Sequence, residues 1–173
     1  AVPPLRRHLR AGSHQTTRHA MQETENVQDY PRPPRLEPVP HTLRAELGGV
    51  VIVETHNALR VLETHHAPTY YIPRSAISAE CLPAPGRSFC EWKGRASYFA
   101  LAADESDTAI AWLYANPDPS FAPIHRHLSF YPGRVACFVN DERVTPQPGH
   151  FYGGWITQRV VGPFKGEPGT GHW

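Results

Sequence analysis

Four consecutive residues, Cys90, Glu91, Trp92 and Lys93, bring a thiol, a carboxylate and an amine close together. A lysine ammonium beside a cysteine favours the thiolate, the nucleophilic form, and a desolvated lysine can itself serve as nucleophile or base. Whether the groups meet depends on the backbone. Over 88–101 one phase holds Cys90, Trp92, Gly94, Ala96, Tyr98 and Ala100; the other holds Phe89, Glu91, Lys93, Arg95, Ser97 and Phe99. This is the period of a β-strand, and it predicts that Cys90 and Lys93 point to opposite faces, with Cys90 packed in the core as free cysteines usually are. Gly94 is the exception in the pattern. A bulge at a mid-strand glycine inverts the phase and turns Lys93 inward. Lys93 and Cys90 are the weak candidates for a catalytic role.

Other reactive constellations are thinner. His125 and His127 have the i, i+2 spacing of paired strand ligands, but no carboxylate follows them, and the His65–His66 rings would diverge on a strand; no metal site is expected. There is no Gly-x-Ser-x-Gly elbow and no phosphate-binding Gly-x-x-x-x-Gly-Lys-Ser/Thr loop. Glu54 and Glu63 are strand carboxylates with little claim to acid–base work. The aromatic residues are the better lead. Tyr70, Tyr71, Trp112, Tyr114, Phe130 and Tyr131 lie on predicted strands. If several line one concavity with Arg74 and Lys93, the result is an aromatic pocket with two cations; the competing reading is an aromatic β core.

The elements that would position these groups are short. Leu43, Ala45 and Leu47 alternate with Arg44 and Glu46, Gly48-Gly49 turns the chain, and Val-Val-Ile-Val-Glu returns, which predicts a hairpin. Residues 58–63, 69–73, 108–117, 127–132 and 134–141 read as further strands, 75–82 as one short helix capped by Ser75, and 81–87 as a loop. Residues 21–42 are a polar lead-in and a Pro-rich arm, anchored by Tyr30, Leu36 and Val39. Residues 43–144 form the mainly-β domain. Residues 145–173 are a Gly/Pro-rich aromatic tail, too apolar to float free and expected to pack on that domain. The fold class is therefore mainly β: one compact sandwich or small barrel of seven or eight short strands.

A length of 173 residues suits one domain, and the 19 prolines between short apolar runs fit a loop-rich β fold. A net charge of +1 gives no field for nucleic acid, and no apolar run is long enough to span a bilayer as a helix. Three cysteines without Cys-x-x-Cys spacing suggest reduced thiols and a cytoplasmic protein. Residues 1–20 carry four Arg, three His and no acidic residue, and Met21 is the only methionine. They read as a non-native or mis-assigned, disordered extension ahead of a start at Met21; a transit peptide is the alternative. Removing those four Arg from the 17 basic residues leaves 13 against 16 acidic ones, a net charge of −3.

The order of Arg-Val-Leu-Glu (60–63), Thr-Tyr-Tyr-Ile-Pro-Arg (69–74), Cys-Glu-Trp-Lys-Gly (90–94), Ala-Trp-Leu-Tyr (111–114) and Phe-Tyr-Pro-Gly-Arg-Val (130–135) resembles the bacterial domain-of-unknown-function family 427. The opening 29–40 and the closing 145–170 resemble its long cyanobacterial-type members. The resemblance implies a compact, mostly-β domain with recurring positions at Glu63, Tyr71, Pro73, Cys90, Lys93, Gly94, Tyr98, Trp112 and Tyr114. The family has carried a nucleotidyltransferase-type label, but no Asp-x-Asp pair follows Gly48-Gly49 to hold the metal ions such transfer needs. The resulting expectation is a small-molecule-binding module for an anionic or planar ligand, without cofactor or nucleic-acid partner. Its pocket would be built from Tyr71, Arg74, Lys93, Trp112 and Tyr114, with Glu63 as polar anchor. The alternatives are an enzyme using Lys93 or Cys90 in the same pocket, and an interaction protein acting through its proline arm.

Overall fold

The computed structural model describes residues 24–103, 108–149 and 151–173. The Arg-rich segment 1–20 lies outside the described residues. The strands run in chain order as β1 (Glu25–Asn26), β2 (Arg35–Pro38), β3 (Leu43–Leu47), β4 (Val50–Thr55), β5 (Leu59–Leu62), β6 (Thr69–Pro73), β7 (Cys81–Cys90) and β8 (Gly94–Leu101). They continue as β9 (Ala111–Tyr114), β10 (His127–Phe130), β11 (Ala136–Val139), β12 (Glu142–Arg143), β13 (Thr145–Pro146), β14 (Trp155–Ile156) and β15 (Val160–Val161). The helical segments among the described residues are short 3-10 turns at Val27–Asp29, Arg74–Ala76 and Pro119–Ile124. None is long and apolar enough to cross a membrane.

The protein is mainly β and sandwich-like. An open antiparallel sheet in the order β2-β5-β6-β10-β9-β8-β7 packs against a four-stranded sheet in the order β12-β11-β3-β4. Strand alternation divides each side chain set cleanly. Tyr70 and Ile72, Ala111 and Leu113, and Leu128 and Phe130 face the four-stranded sheet, meeting Leu43, Ala45, Val53 and Cys137 in one core. Tyr71, Trp112 and Tyr114 point the other way, into a second apolar cluster with Ala96, Phe121 and Ile124. Both faces of β9 are thus buried, as its run of apolar residues requires. The predicted hairpin is present: Leu47 pairs with Val50 across Gly48 and Gly49, whose φ values of 57° and 78° make the two-residue turn that suits strand twist.

Two local expectations are corrected. The helix expected over 75–82 is a single 3-10 turn preceded by Pro73, with no side-chain cap, because Cys81 and Leu82 are already paired in β7. The expected loop at 81–87 belongs to the same strand. Pro83 and Pro85 are tolerated there because β7 is the edge of its sheet, and a bulge between Ala84 and Arg87 contains Gly86 at φ 110°.

Arm and tail cover what the two sheets leave open. The arm supplies β2, paired along its length with β5, while β1 and β15 form a parallel pair joining the two ends of the described chain. In the tail, fully buried Trp155 donates its indole N–H to the Phe130 carbonyl at 3.0 Å and packs 4.8 Å from the Tyr70 ring. The arm is tied down by charge. Arg60 makes a two-pronged contact with Glu25 (2.9 and 3.2 Å) and also binds Glu37, and Tyr30 donates to Glu25 at 2.5 Å.

Two measurements test this assembly. Trp155→Phe removes the donor to the Phe130 carbonyl and leaves unfilled volume, so urea denaturation should show a loss of about 2 kcal/mol or more. Burial raises the Glu25 carboxyl, but hydrogen bonds from Arg60 and Tyr30 and the charges of Arg60 and Arg35 outweigh it and hold it below its ordinary 4.5. A lowered folded-state value gives stability that is complete above 4.5 and is lost as pH falls through the folded value. The melting temperature should therefore fall less steeply below about pH 5 in Glu25→Gln than in the parent; equal slopes would remove Glu25 from the acid response.

Candidate functional site

The site begins at the break between β7 and β8. Residues 88–101 are not one strand. Cys90 closes β7 opposite Gly94, the first residue of β8, and Glu91, Trp92 and Lys93 form the three-residue turn between them. Gly94 has φ 108°, a region that side-chain-bearing residues rarely enter, and the Lys93 carbonyl accepts from the Asp118 N–H at 3.0 Å. The turn undoes the phase relation of a continuous strand. Lys93 is 8% exposed, and its side chain lines the same cavity as Cys90. The expectation that the two face apart is therefore overturned.

That cavity, of about 520 Å³, lies over the second face of the seven-stranded sheet. Tyr71 from β6 and Trp112 and Tyr114 from β9 line it from the sheet, where alternation directs them away from the main core. Glu63 and His66 line it from the β5–β6 connection, and Tyr152, Gly153, Lys165 and Trp173 from the tail. Five of the six residues expected from sequence, Glu63, Tyr71, Lys93, Trp112 and Tyr114, come together here. Arg74 does not. The chain turns out of β6 at Pro73, and the Arg74 guanidinium lies 5.6 Å from the centre of the Phe99 ring, which belongs to the core on the opposite face of the sheet.

Sequence reasoning missed the tail side of the cavity. The signal for it was Gly153-Gly154. A Cβ on Gly153 would sit 2.1 Å from the Trp112 ring, and one on Gly154 would sit 2.2 Å from the Gln147 carboxamide oxygen. Both glycines allow the tail backbone to lie flat on the site. Gln147, 2% exposed, accepts from the Ala67 N–H at 3.0 Å and donates to the Lys165 carbonyl at 2.9 Å. Its nitrogen also lies 3.2 Å from His66 Nδ1. An amide nitrogen only donates, so Nδ1 is the acceptor, and the His66 proton sits on Nε2, aimed at Glu63 Oε2 at 3.1 Å. Burial, reinforced by the charges of Lys165, Lys93 and Arg32, pulls the His66 pKa down to about 3. The imidazole is therefore neutral, and its contact with Glu63 is a hydrogen bond rather than an ion pair.

Lys93 is charged. Burial pulls its pKa down, but Tyr71, Cys90 and Glu63 push it up and prevail. Its Nζ lies 5.7 Å from the centre of the Tyr114 ring. Burial, together with Tyr71 and Cys90, pushes the Tyr114 phenol well up, so that ring remains protonated. The Tyr71 hydroxyl is buried and has no hydrogen-bond partner. Among the described residues no carboxylate lies within ion-pair distance of Lys93, and no group of His, Cys, Asp or Glu is placed to hold a metal ion. The arrangement can hold a flat apolar body against Tyr71, Trp112 and Tyr114, and on the sheet side offers it the Lys93 ammonium and the Tyr71 hydroxyl.

No curated protein matches the chain. The family model described as Domain of unknown function (DUF427) matches residues 35–141, more than half of the sequence, and the chain belongs to that family.

Proposed function

We propose that the protein binds a small, planar, anionic molecule in the cavity over the second face of the large sheet. The observation that carries this reading is the buried Lys93 ammonium, unpaired with any carboxylate among the described residues, beside the orphaned Tyr71 hydroxyl. A buried charge without a counter-charge costs several kcal/mol, and a buried hydroxyl without a partner costs about 1–3 kcal/mol more. Such costs are offset when an acidic ligand supplies the missing acceptor. The aromatic rings suit a flat body, and the volume suits a small ligand. Three free thiols support a reducing, cytoplasmic setting, and we take the protein to be bacterial, of the cyanobacterial type.

The placement of Cys90 and Lys93 on one cavity keeps an enzyme as the second reading. In that case Lys93, being an ammonium, would stabilise developing negative charge rather than attack as an amine. The proline arm favours an interaction role less, since its β2 segment is already paired along its length with β5 on one side.

A thermal-shift and calorimetric screen with benzoate, 2-naphthoate and biphenyl-4-carboxylate should find at least one ligand. Lys93→Met should abolish its binding while leaving the ligand-free protein as stable as the parent or up to about 2 kcal/mol more so, since a buried unpaired charge is removed. A destabilised Lys93→Met protein, or unchanged binding, would count against the reading. Iodoacetamide at neutral pH separates binder from thiol enzyme. As a binder, the native protein should be alkylated at Cys90 no faster than a free thiol; a rate well above that transfers the site to the enzyme reading.

A further inference from the structure

The cavity has a second cationic pole that the single-anion reading does not use. Lys165 and Arg32 line it in addition to Lys93. Among the described residues neither has a carboxylate within ion-pair distance. Arg32 donates to the Thr64 carbonyl at 3.3 Å. The Lys165 Nζ lies 5.8 Å from the Tyr152 ring centre, whereas Lys93 lies against Tyr114, so the two ammoniums rest on different rings, one on the tail and one on the sheet. The cavity's acids do not pair with them directly: Glu63 acts on Lys93 from beyond ion-pair distance and is hydrogen-bonded to His66, and Glu91 is exposed.

The backbone that carries Lys165 is fixed. The Lys165 N–H donates to the His65 carbonyl at 2.8 Å, and its carbonyl accepts from buried Gln147 at 2.9 Å. Phe164, beside it, is buried, and its N–H is bound by Glu167 Oε2 at 2.7 Å. That contact also turns the nearest carboxylate in sequence toward the backbone. At Gly166 (φ 104°) a Cβ would sit 2.0 Å from the Pro148 carbonyl oxygen, so this loop is pressed against the chain leading to Gln147. With the backbone fixed on both sides, only the side-chain rotamers of Lys165 remain to be ordered when it meets a ligand. Both members of this pole lie outside the family-matched residues 35–141, and Lys93 and Tyr71 lie inside them.

We infer that the ligand is a planar diacid: one acidic group is bound by Lys93 and the Tyr71 hydroxyl, the other by Lys165 and Arg32, with the ring system against Trp112. This rests on the binding reading above and names its ligand class. A mono-acid leaves one pole unmatched in a partly buried cavity, where an uncompensated like-charge cluster is costly; a diacid satisfies both. A volume of about 520 Å³ leaves room for more than one ring.

Calorimetric titration of the full chain at low salt, with three matched pairs, tests this: benzoate and terephthalate, 2-naphthoate and naphthalene-2,6-dicarboxylate, biphenyl-4-carboxylate and biphenyl-4,4′-dicarboxylate. At least one diacid should bind about tenfold or more tighter than its mono-acid, the gain expected of one added charge-assisted contact. Lys165→Met should erase that gain and leave the mono-acid affinity within about twofold, while Lys93→Met weakens both members. Arg32→Met, at an exposed position, gives the same comparison should Lys165→Met fail to fold. Equal affinities within all three pairs, with Lys93→Met still weakening them, would overturn the diacid and leave the binding reading standing. Loss of mono-acid and diacid affinity alike in Lys165→Met would also overturn it, and binding by none of the six would overturn both readings.

Discussion

The buried carboxamide of Gln147 ties the irregular half of the molecule to the regular half. The large sheet is apolar on both faces, but only one is covered by a second sheet. The other is covered in part by arm and tail, and irregular chain brings backbone N–H and C=O groups that must find partners when water is excluded. Gln147 supplies three at once: an acceptor for the Ala67 N–H, and donors for the Lys165 carbonyl and for His66 Nδ1. Around it the Gln147 N–H donates to the Gly154 carbonyl, and the Trp155 N–H to the Pro68 carbonyl. The same group therefore closes the tail on the β5–β6 connection, fixes the tautomer of His66, and through it orients Glu63 toward the cavity. Gly154 is required because any side chain there would collide with this amide.

The regular half was legible in the sequence because strand alternation is a local rule. Tyr70 and Tyr71 had to part to opposite faces once 69–73 was a strand, and Trp112 and Tyr114 had to share one face. Gly48-Gly49 announced its turn because only positive φ at both positions closes a two-residue hairpin with the right twist. The failures share a cause. A glycine inside an alternating run signals a departure from the strand, but not its kind, and Gly94 ends a three-residue turn instead of forming a bulge. Pro83 and Pro85 read as loop because their tolerance depends on lying at a sheet edge, a property of the whole fold. Arg74 was grouped with Lys93 by charge and nearness to Tyr71, and the chain's exit from β6 at Pro73 separates them. Gln147 carries no pattern of its own, and its role exists only once residues 67 and 165 meet.

The turn at 91–93 has a physical cost that bears on what the site does. Stability alone would favour Lys93 in water, where its long side chain keeps its entropy and hydration. Instead Gly94 sets a backbone that places the ammonium in the cavity beside three tyrosine or tryptophan rings, compensated by the Tyr114 face, by Tyr71 and Cys90 and by the more distant charge of Glu63, with no direct ion pair among the described residues. An ammonium and a hydroxyl left without direct partners are the groups that the proposed anionic ligand would satisfy.

The protonation pattern decides between the two uses of such a site. General acid–base or amine chemistry at neutral pH calls for a group poised to exchange its proton near that pH. Here the groups with shifted values are pushed away from it: Lys93 upward into a permanent ammonium, Tyr114 upward into a permanent phenol, His66 downward into a permanent neutral imidazole. Each is fixed in one state with its charge or dipole directed. An array of fixed charges and dipoles over an aromatic floor recognises a complementary charge distribution, and stabilises one that develops during a reaction only if another group moves the proton. Cys90 is the cysteine that lines this cavity, and a thiol is a stronger nucleophile than the neighbouring Ser88 hydroxyl, so the distinction between binder and enzyme turns first on the state of that thiol.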